Sequence, residues 1–350
     1  MGSVIAYFDS SHDLAEEIIM AAGKTPYKIL GDVNVSNNPA DKYLFETFCP
    51  AARSMLTEAL HYSEKWEGII IAHGCDATHR QFDIWKKHVQ NPFIYFVNNP
   101  LSRVSKSGRD FYRTELQTFI EALEKQYNVN ISNEKLQNAI KISNQVKKLL
   151  QNLGKLREFK DIPNHEYFNI CKIAVQEDKK SVIPLLERKL SEWGTYSAFP
   201  TKFSRILLTG SDVNYPEFMN LLDKAKLRVV RDDLSIGERY YTALIPEMQD
   251  PLDALIEYQY LIPRPATKHP AEPRLDFLLR AYESSHIEGI LSQNLKFCET
   301  YAFDSVWLSN TFKQKNIPSI HLERDFIAED QQLFTRLEVF KELLNSKRRI

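Results

Sequence analysis

The same alternation of short apolar runs with longer amphipathic segments occurs twice along this chain, and that repetition limits the folds open to it more than any other feature. In the first stretch Val4–Phe8, Tyr27–Leu30, Gly68–Ala72 and Phe93–Val97 read as strands, each a short apolar run bounded by turn residues. Ser10 or Ser11 can cap a helix that runs through Ala22 and stops at Gly23, and another helix spans Asp76 to about His88. The second stretch repeats the order, with strands at Arg205–Thr209, Leu227–Arg231, Ile287–Leu291 and Pro318–Leu322. Helices at Pro216–Lys226 and about Phe303–Lys315 separate them. A strand, a helix and a second strand return to one sheet as a parallel crossover. The predicted fold is therefore α/β: two Rossmann- or flavodoxin-like parallel-sheet domains with a helical segment between them. Its units are an N-terminal domain over 1–108, a helical connection over 109–200 and a C-terminal domain over 201–350. Within the connection, a long helix from Asn133 to Phe159 carries Leu136, Ile140, Leu149, Leu153 and Leu156 and is expected to pack across both sheets. The proline-rich Pro263–Pro273 reads as a surface loop.

Composition removes several function classes. With 350 residues, 43% of them hydrophobic, the chain can bury two cores. Its 45 basic and 46 acidic residues nearly cancel, so it lacks the charge excess of a nucleic-acid binder. Lys347-Arg348-Arg349 reads as a solvated helix end. No apolar run approaches the roughly 20 residues that span a bilayer, and no basic flank precedes an apolar signal core, so the expected location is cytoplasmic without membrane contact. Neither G-x-x-x-x-G-K-[ST] nor a G-x-G-x-x-G after a strand occurs, and with only 11 glycines nucleotide hydrolysis is expected on a partner.

The four cysteines are scattered and form no disulfide framework, and a reducing compartment would leave them available to metal. Cys49 before Pro50, Cys75 before Asp76, and Cys298 in Lys296-Phe297-Cys298-Glu299 each stand where the chain turns into a helix. Cys75 and Cys298 also follow strands, at the sheet edge where open α/β folds place ligand crevices. Free N–H groups at helix N-termini lower a thiol's pKa and can bond to cluster sulfurs. The arrangement suggests a [4Fe–4S] cluster held by three thiolates, leaving one iron open. Zinc is the rival, although no C-x2-C pair is present. Free cysteines are also common as small buried hydrophobes, and spacing alone leaves both readings open. Cys171, among Tyr167, Phe168, Ile170, Ile173 and Ala174 on a helical pattern, fits the buried reading.

Longer stretches then carry a resemblance. The segments Ala15-Glu16-Glu17-Ile18-Ile19-Met20-Ala21-Ala22-Gly23-Lys24-Thr25-Pro26, Phe48-Cys49-Pro50-Ala51-Ala52-Arg53-Ser54 and His73-Gly74-Cys75-Asp76, with Trp85 downstream, open it. Ile206-Leu207-Leu208-Thr209-Gly210-Ser211, Val229-Val230-Arg231-Asp232-Asp233, Asp250-Pro251-Leu252, Lys296-Phe297-Cys298 and Thr335-Arg336-Leu337-Glu338-Val339-Phe340 continue it. Together they resemble the 2-hydroxyacyl-CoA dehydratase family, which includes subunits of ATP-dependent benzoyl-CoA reductase. The resemblance covers almost the whole chain and implies that Cys49, Cys75 and Cys298 are cluster ligands. It also implies a separate ATP-hydrolysing iron–sulfur activator, a homologous second subunit and a CoA-thioester substrate. A low-potential electron would make a ketyl radical anion that expels the adjacent hydroxyl, with the open iron binding the thioester carbonyl. The same implication leaves two alternatives: ring reduction, or an electron-transfer or scaffold subunit whose partner binds substrate.

The chain also departs from the family pattern. Ser235-Ile236-Gly237-Glu238-Arg239 stands where many members carry a cysteine, and Pro263-Arg264-Pro265 where many have Pro-Cys-Pro. Four cysteines are too few for a double cubane with three thiolates per cubane. His73 and Asp76 flank Cys75 as candidate acid–base groups; for Asp76 the competing role is a helix N-cap, and for His73 a hydrogen-bonded structural histidine. Arg53, Arg80 and Arg336 are candidates for CoA phosphates, Arg336 foremost because it lies in a family-like stretch, against the ordinary fate of surface ion pairs.

Overall fold

The computed structural model describes residues 3–102, 105–213, 215–328 and 331–348. Eight strands form two sheets of four. The first holds β1 (Val4–Phe8), β2 (Thr25–Lys28), β3 (Gly68–Ala72) and β4 (Ile94–Val97) in the order β2-β1-β3-β4. The second holds β5 (Ser204–Gly210), β6 (Leu227–Asp232), β7 (Gly289–Leu295) and β8 (Ser319–Arg324) in the order β6-β5-β7-β8. Every pairing is parallel, with Ile5 opposite Gly68 in one sheet and Ile206 opposite Gly289 in the other. The expected pair of parallel α/β sheets is present. In this order the chain reverses direction between the first and third strands, which opens a crevice at their carboxyl ends.

The sequence explains why these runs form doubly covered strands. All of β3 is buried; Ile70 and Ala72 face one core and Ile69 and Ile71 another, the period of two that a pleated strand imposes. β7 is also buried throughout, and it runs through Ser292, Gln293 and Asn294. Apolar runs alone place this strand too early, because these polar side chains are bonded inside the fold. β5 must end in Gly210: its φ is +124°, and a Cβ there would stand 1.7 Å from the Gln293 carbonyl oxygen.

The helix Asn133–Leu156 links the cores. Ser132 caps it, Leu136, Ala139 and Ile140 pack with the first sheet, and Val146, Leu150 and Leu153 pack with the second. The helix Pro251–Leu261 follows β6 in the chain, yet Leu252, Leu255 and Tyr258 join the core of the first sheet. Buried ion pairs stand at the same junction: Glu16 with Lys179 at 3.2 Å and Glu17 with Lys147 at 3.3 Å tie the helix after β1 to the helical segment, and Lys28 with Asp9 at 2.5 Å lies within the first sheet.

Three local expectations are corrected. The helix after β1 starts at Glu16 instead of near Ser10, because Asp9 accepts the N–H groups of Asp13 and Leu14 and holds the intervening loop. Pro263–Pro265 and Lys268 are buried, so the proline-rich segment is a surface loop only in part, with His269, Glu272 and Pro273 exposed; Lys268 stands 3.5 Å from Asp13 and bonds the His73 carbonyl. Arg348 is bonded to Glu288 and to the Thr201 and Phe203 carbonyls, not simply solvated, while Arg349 lies outside the described residues.

Two outcomes follow from the buried charges. Lys28→Met leaves the Asp9 carboxylate buried without its partner and is expected to cost about 3–5 kcal/mol in urea unfolding. Lys28→Met combined with Asp9→Leu should recover much of the loss; equal losses in the single and double variants would contradict the pairing. His12 is buried against Tyr240 and Tyr258, and burial, with Lys147, Lys28, Lys179 and Arg239 nearby, holds its pKa well below the ordinary value. Below pH about 6.5 the unfolded ring takes up a proton that the folded one refuses, so this contribution is full above that pH and falls as pH drops. The loss approaches ~1.4 kcal/mol per pH unit. His12→Asn, which tolerates the residue's φ of +63°, should flatten that slope in unfolding measured from pH 7.5 to about 5.5; a slope identical to wild type would refute the assignment.

Candidate functional site

The carboxyl edges of both sheets border one cavity of about 310 Å³. Asp9 and Ser10 follow β1, and Ser211 and Asp212 follow β5; all four line it. Cys75 follows β3 and Cys298 follows β7, so the two occupy equivalent places after the third strand of each sheet. Cys49 enters from the segment between β2 and β3. Phe8, Phe48, Leu295 and Phe326 supply apolar wall.

Each of the three half-buried cysteines is the N-cap of a helix: Cys49 of Pro50–Tyr62, Cys75 of Asp76–His88 and Cys298 of Glu299–Gln314. Pro50 takes the first helical position, where no N–H is needed. At Cys75 a reciprocal cap forms: its sulfur accepts from the Thr78 N–H, and Thr78 Oγ1 accepts from the Cys75 N–H at 3.1 Å. Gly74 makes room for this turn, since a Cβ there would meet Ser10 Oγ at 2.0 Å. Phe297, at φ +59°, turns the chain sharply before Cys298.

Burial dominates the electrostatics and pushes all three thiols up, Cys49 to about 12. Charge on Cys298 and on Cys75 raises Cys49 further, and charge on Cys298 raises Cys75, so the three sulfurs feel one another across the cavity. Opposing this, the N–H groups of Ala51 and Ala52 act on Cys49, those of Ala77 and Thr78 on Cys75, and that of Tyr301 on Cys298. Ser10 also lowers Cys75, and Ser211 and Arg324 lower Cys298. Among the described residues no three His, Cys, Asp or Glu side chains stand close enough to hold a single metal ion. One zinc with bonds of about 2.3 Å would need its sulfurs within about 4 Å of each other.

A polar frame backs the cavity. Lys28 Nζ bonds Asp9 at 2.5 Å and lies 3.4 Å from Ser235 Oγ, which in turn donates to Asp212. Asp9, one residue after β1, and Asp212, two residues after β5, are thus joined through one buried lysine and one serine. Apolar periodicity and motif spacing do not single out Asp9, Lys28, Ser211 or Asp212. The signal that could find them is their place at the ends of β1, β2 and β5; Ser235 stands out in the sequence only through the departure from the resemblance noted above.

The structure brings Cys49, Cys75, Cys298, Asp76 and Arg80 to the same cavity and leaves the other candidates outside its wall. Cys75, not Asp76, is the N-cap; Asp76 is the first helical residue and is exposed. His73 is half-buried, its Nδ1 3.2 Å from Asn98 Oδ1, and burial together with Lys268 lowers its pKa. Arg336 sits on the helix Gln331–Arg348 and donates to the His321 carbonyl at 2.7 Å. Arg53 pairs with Asp41. Cys171 is fully buried in the core beside the second sheet.

Known proteins resemble this chain along nearly its whole length. The sequence profile described as 2-hydroxyglutaryl-CoA dehydratase, D-component, matches residues 13–344. The chain is 25% identical over 334 residues to the (R)-phenyllactyl-CoA dehydratase beta subunit of Clostridium sporogenes, covering 94% of this chain and 89% of that one. It is 23% identical over 341 residues to the beta subunit of (R)-2-hydroxyglutaryl-CoA dehydratase from Acidaminococcus fermentans, covering 94% and 89%. A benzoyl-CoA reductase subunit from Thauera aromatica is 22% identical over 327 residues, covering 91% and 84%. The chain belongs to the 2-hydroxyglutaryl-CoA dehydratase D-component family.

Proposed function

We propose that this chain is the iron–sulfur subunit of a 2-hydroxyacyl-CoA dehydratase-type complex, with Cys49, Cys75 and Cys298 as ligands of one [4Fe–4S] cluster. The observation that carries the reading is the meeting of three thiols, each at a helix start, around a single cavity. The donor set fits the group: thiolates suit iron–sulfur clusters, and the helix N–H groups can bond to anionic sulfur. When bound, the cluster would supply and recover one low-potential electron.

Dehydration removes hydroxide from the carbon beside the thioester and a proton from the next carbon, releasing water and an enoyl-CoA, with the electron returned at the end. The chain's own part is to bind the thioester, keep bulk water out with Phe8, Phe48 and Phe326, and handle that proton. Asp76, exposed on the cavity wall, is the acid–base group we assign. His73, directly after β3 and three residues before Asp76, is assigned as a positioning residue held by its contact with Asn98. Arg80 on the wall and Arg336 on the outer helix are the cations offered to CoA phosphates.

The relatives named as beta subunits support a homologous second subunit, and the electron is assigned to a separate ATP-hydrolysing iron–sulfur activator. No helix among the described residues is long and apolar enough to cross a membrane; the cytoplasmic location is part of the proposal. Similarity to a benzoyl-CoA reductase subunit supports the second reading, in which the same site serves reduction of an aromatic ring.

Anaerobically reconstituted protein is expected to hold about four irons per chain. Cys49→Ala, Cys75→Ala and Cys298→Ala should each abolish the visible cluster absorption while Cys171→Ala retains it; a stable cluster without Cys75 would sink the assignment. With the partner subunit present, a 2-hydroxyacyl-CoA should alter the cluster spectrum before any reductant is added, and turnover should need activator, ATP and reductant. A response to aromatic CoA esters alone would favour ring reduction, and no response to either class would favour a scaffold role.

A further inference from the structure

We propose that Arg324 is a standing positive charge behind the thiol cavity, a positioning residue that raises the reduction potential of the group held by the three cysteines. The inference rests on the [4Fe–4S] reading and extends it to a residue outside the ligand set. Arg324 ends β8 and is 1% exposed. Its guanidinium donates to Gln293 Oε1 at 2.8 Å, Tyr215 OH at 2.9 Å, the Asp212 carbonyl at 2.7 Å and the Asp325 carbonyl at 3.5 Å. All four of these acceptors are neutral.

Other buried cations of this fold meet a carboxylate instead: Lys28 with Asp9, Lys147 with Glu17, Lys179 with Glu16, Arg157 with Asp232 and Arg274 with Asp233. Among the described residues, Glu323, the residue before Arg324 on β8, is exposed and by strand alternation faces the opposite side of the sheet, while Asp325 and Asp212 are engaged elsewhere. The Asp325 carboxylate faces Lys296 at 3.3 Å, and the Asp212 carboxylate bonds Ser235. A buried charge without a counter-ion is costly, and folds that keep one generally have an anion to offset it. Here the site lies alongside: Asp212 lines the thiol cavity, Arg324 holds its backbone, and the Arg324 charge reaches Cys298. A thiolate-bound cluster is anionic, and one added electron makes it more so. The guanidinium therefore favours the reduced form, and its hydrogen bonds fix the loop from Ser211 to Val213 against the cavity.

The test compares reconstituted wild type, Arg324→Gln and Arg324→Lys by iron content and by potentiometric titration of the cluster. Iron content should be equal in all three. Arg324→Gln should lower the reduction equilibrium constant about tenfold, ~59 mV for one electron, while Arg324→Lys stays near wild type. An unchanged potential in Arg324→Gln overturns the proposal, as does an equal drop in Arg324→Lys, which would assign the effect to lost hydrogen bonds. Should Arg324→Gln fail to fold, Gln293→Glu gives the guanidinium a carboxylate while keeping Arg324. That variant should lower the potential too, and an unchanged value there also overturns the proposal. Wild type that binds no iron would refute the cluster reading itself, an outcome distinct from a bound cluster whose potential ignores Arg324.

Discussion

The architecture hinges on one buried ammonium. Lys28, the last residue of β2, is 1% exposed and is held by Asp9 of its own sheet, with Ser235 from the segment after β6 at 3.4 Å. Ser235 passes the connection to Asp212, so the loops that follow the first strand of each sheet are tied together at their carboxyl ends. Two parallel sheets joined in this way present their crevices to a common space, and helix N-termini from both sheets arrive there. Were the sheets joined at another edge, the cysteines would cap the same helices and never meet.

The junction is built from ionised groups where apolar packing would cost less. Burying ions exacts a desolvation penalty that pairing only partly offsets, so such a junction adds little net stability compared with a hydrophobic one. What it adds is discrimination: Glu16 accepts from Tyr7 and Tyr240 and pairs with Lys179, and a small slide of one sheet on the other would leave these groups unpaired. The cluster proposed above, with its thiols on both sheets, would need that positional definition, because an electron-carrying group is sensitive to shifts of its ligands and of the charges around them. The charge of Arg324 belongs to the same logic, its guanidinium bonded to neutral acceptors beside the place where an anionic group is assigned.

The apolar wall completes the setting. Phe8, Phe48, Leu295 and Phe326 surround thiols that burial alone would keep protonated, so the sulfurs become good ligands only when a cationic group replaces their protons. Exposed Phe297 and Phe303 lie near the start of the Cys298 helix, and Asp76 and Arg80 bring charge to the cavity from the Cys75 helix.

Local physics is legible in the chain before any coordinates. β1, β3 and the helix Asp76–His88 have the bounds that apolar runs and turn residues predict, because strand and helix formation there answers to neighbouring residues. The three cysteines are recognisable as residues at helix starts for the same reason, and Cys171 as core. Whatever depends on residues distant in sequence is not legible. Ser292 and Gln293 lie inside a strand because His321, Arg324 and the Ser211 carbonyl meet them across the fold, and the start of the proline-rich segment is buried where Asp13 and His73 receive Lys268. Arg336 is a better site residue than Arg80 on pattern alone, yet only Arg80 reaches the cavity. The sequence by itself determined the parallel α/β class and a place at a helix start for each thiol, since both follow from periodicity and helix-end chemistry. Only the tertiary structure decided that the thiols share one cavity and that Asp9, Asp212, Lys28 and Arg324 stand around it, because the burial and pairing of charges depend on which distant elements pack together.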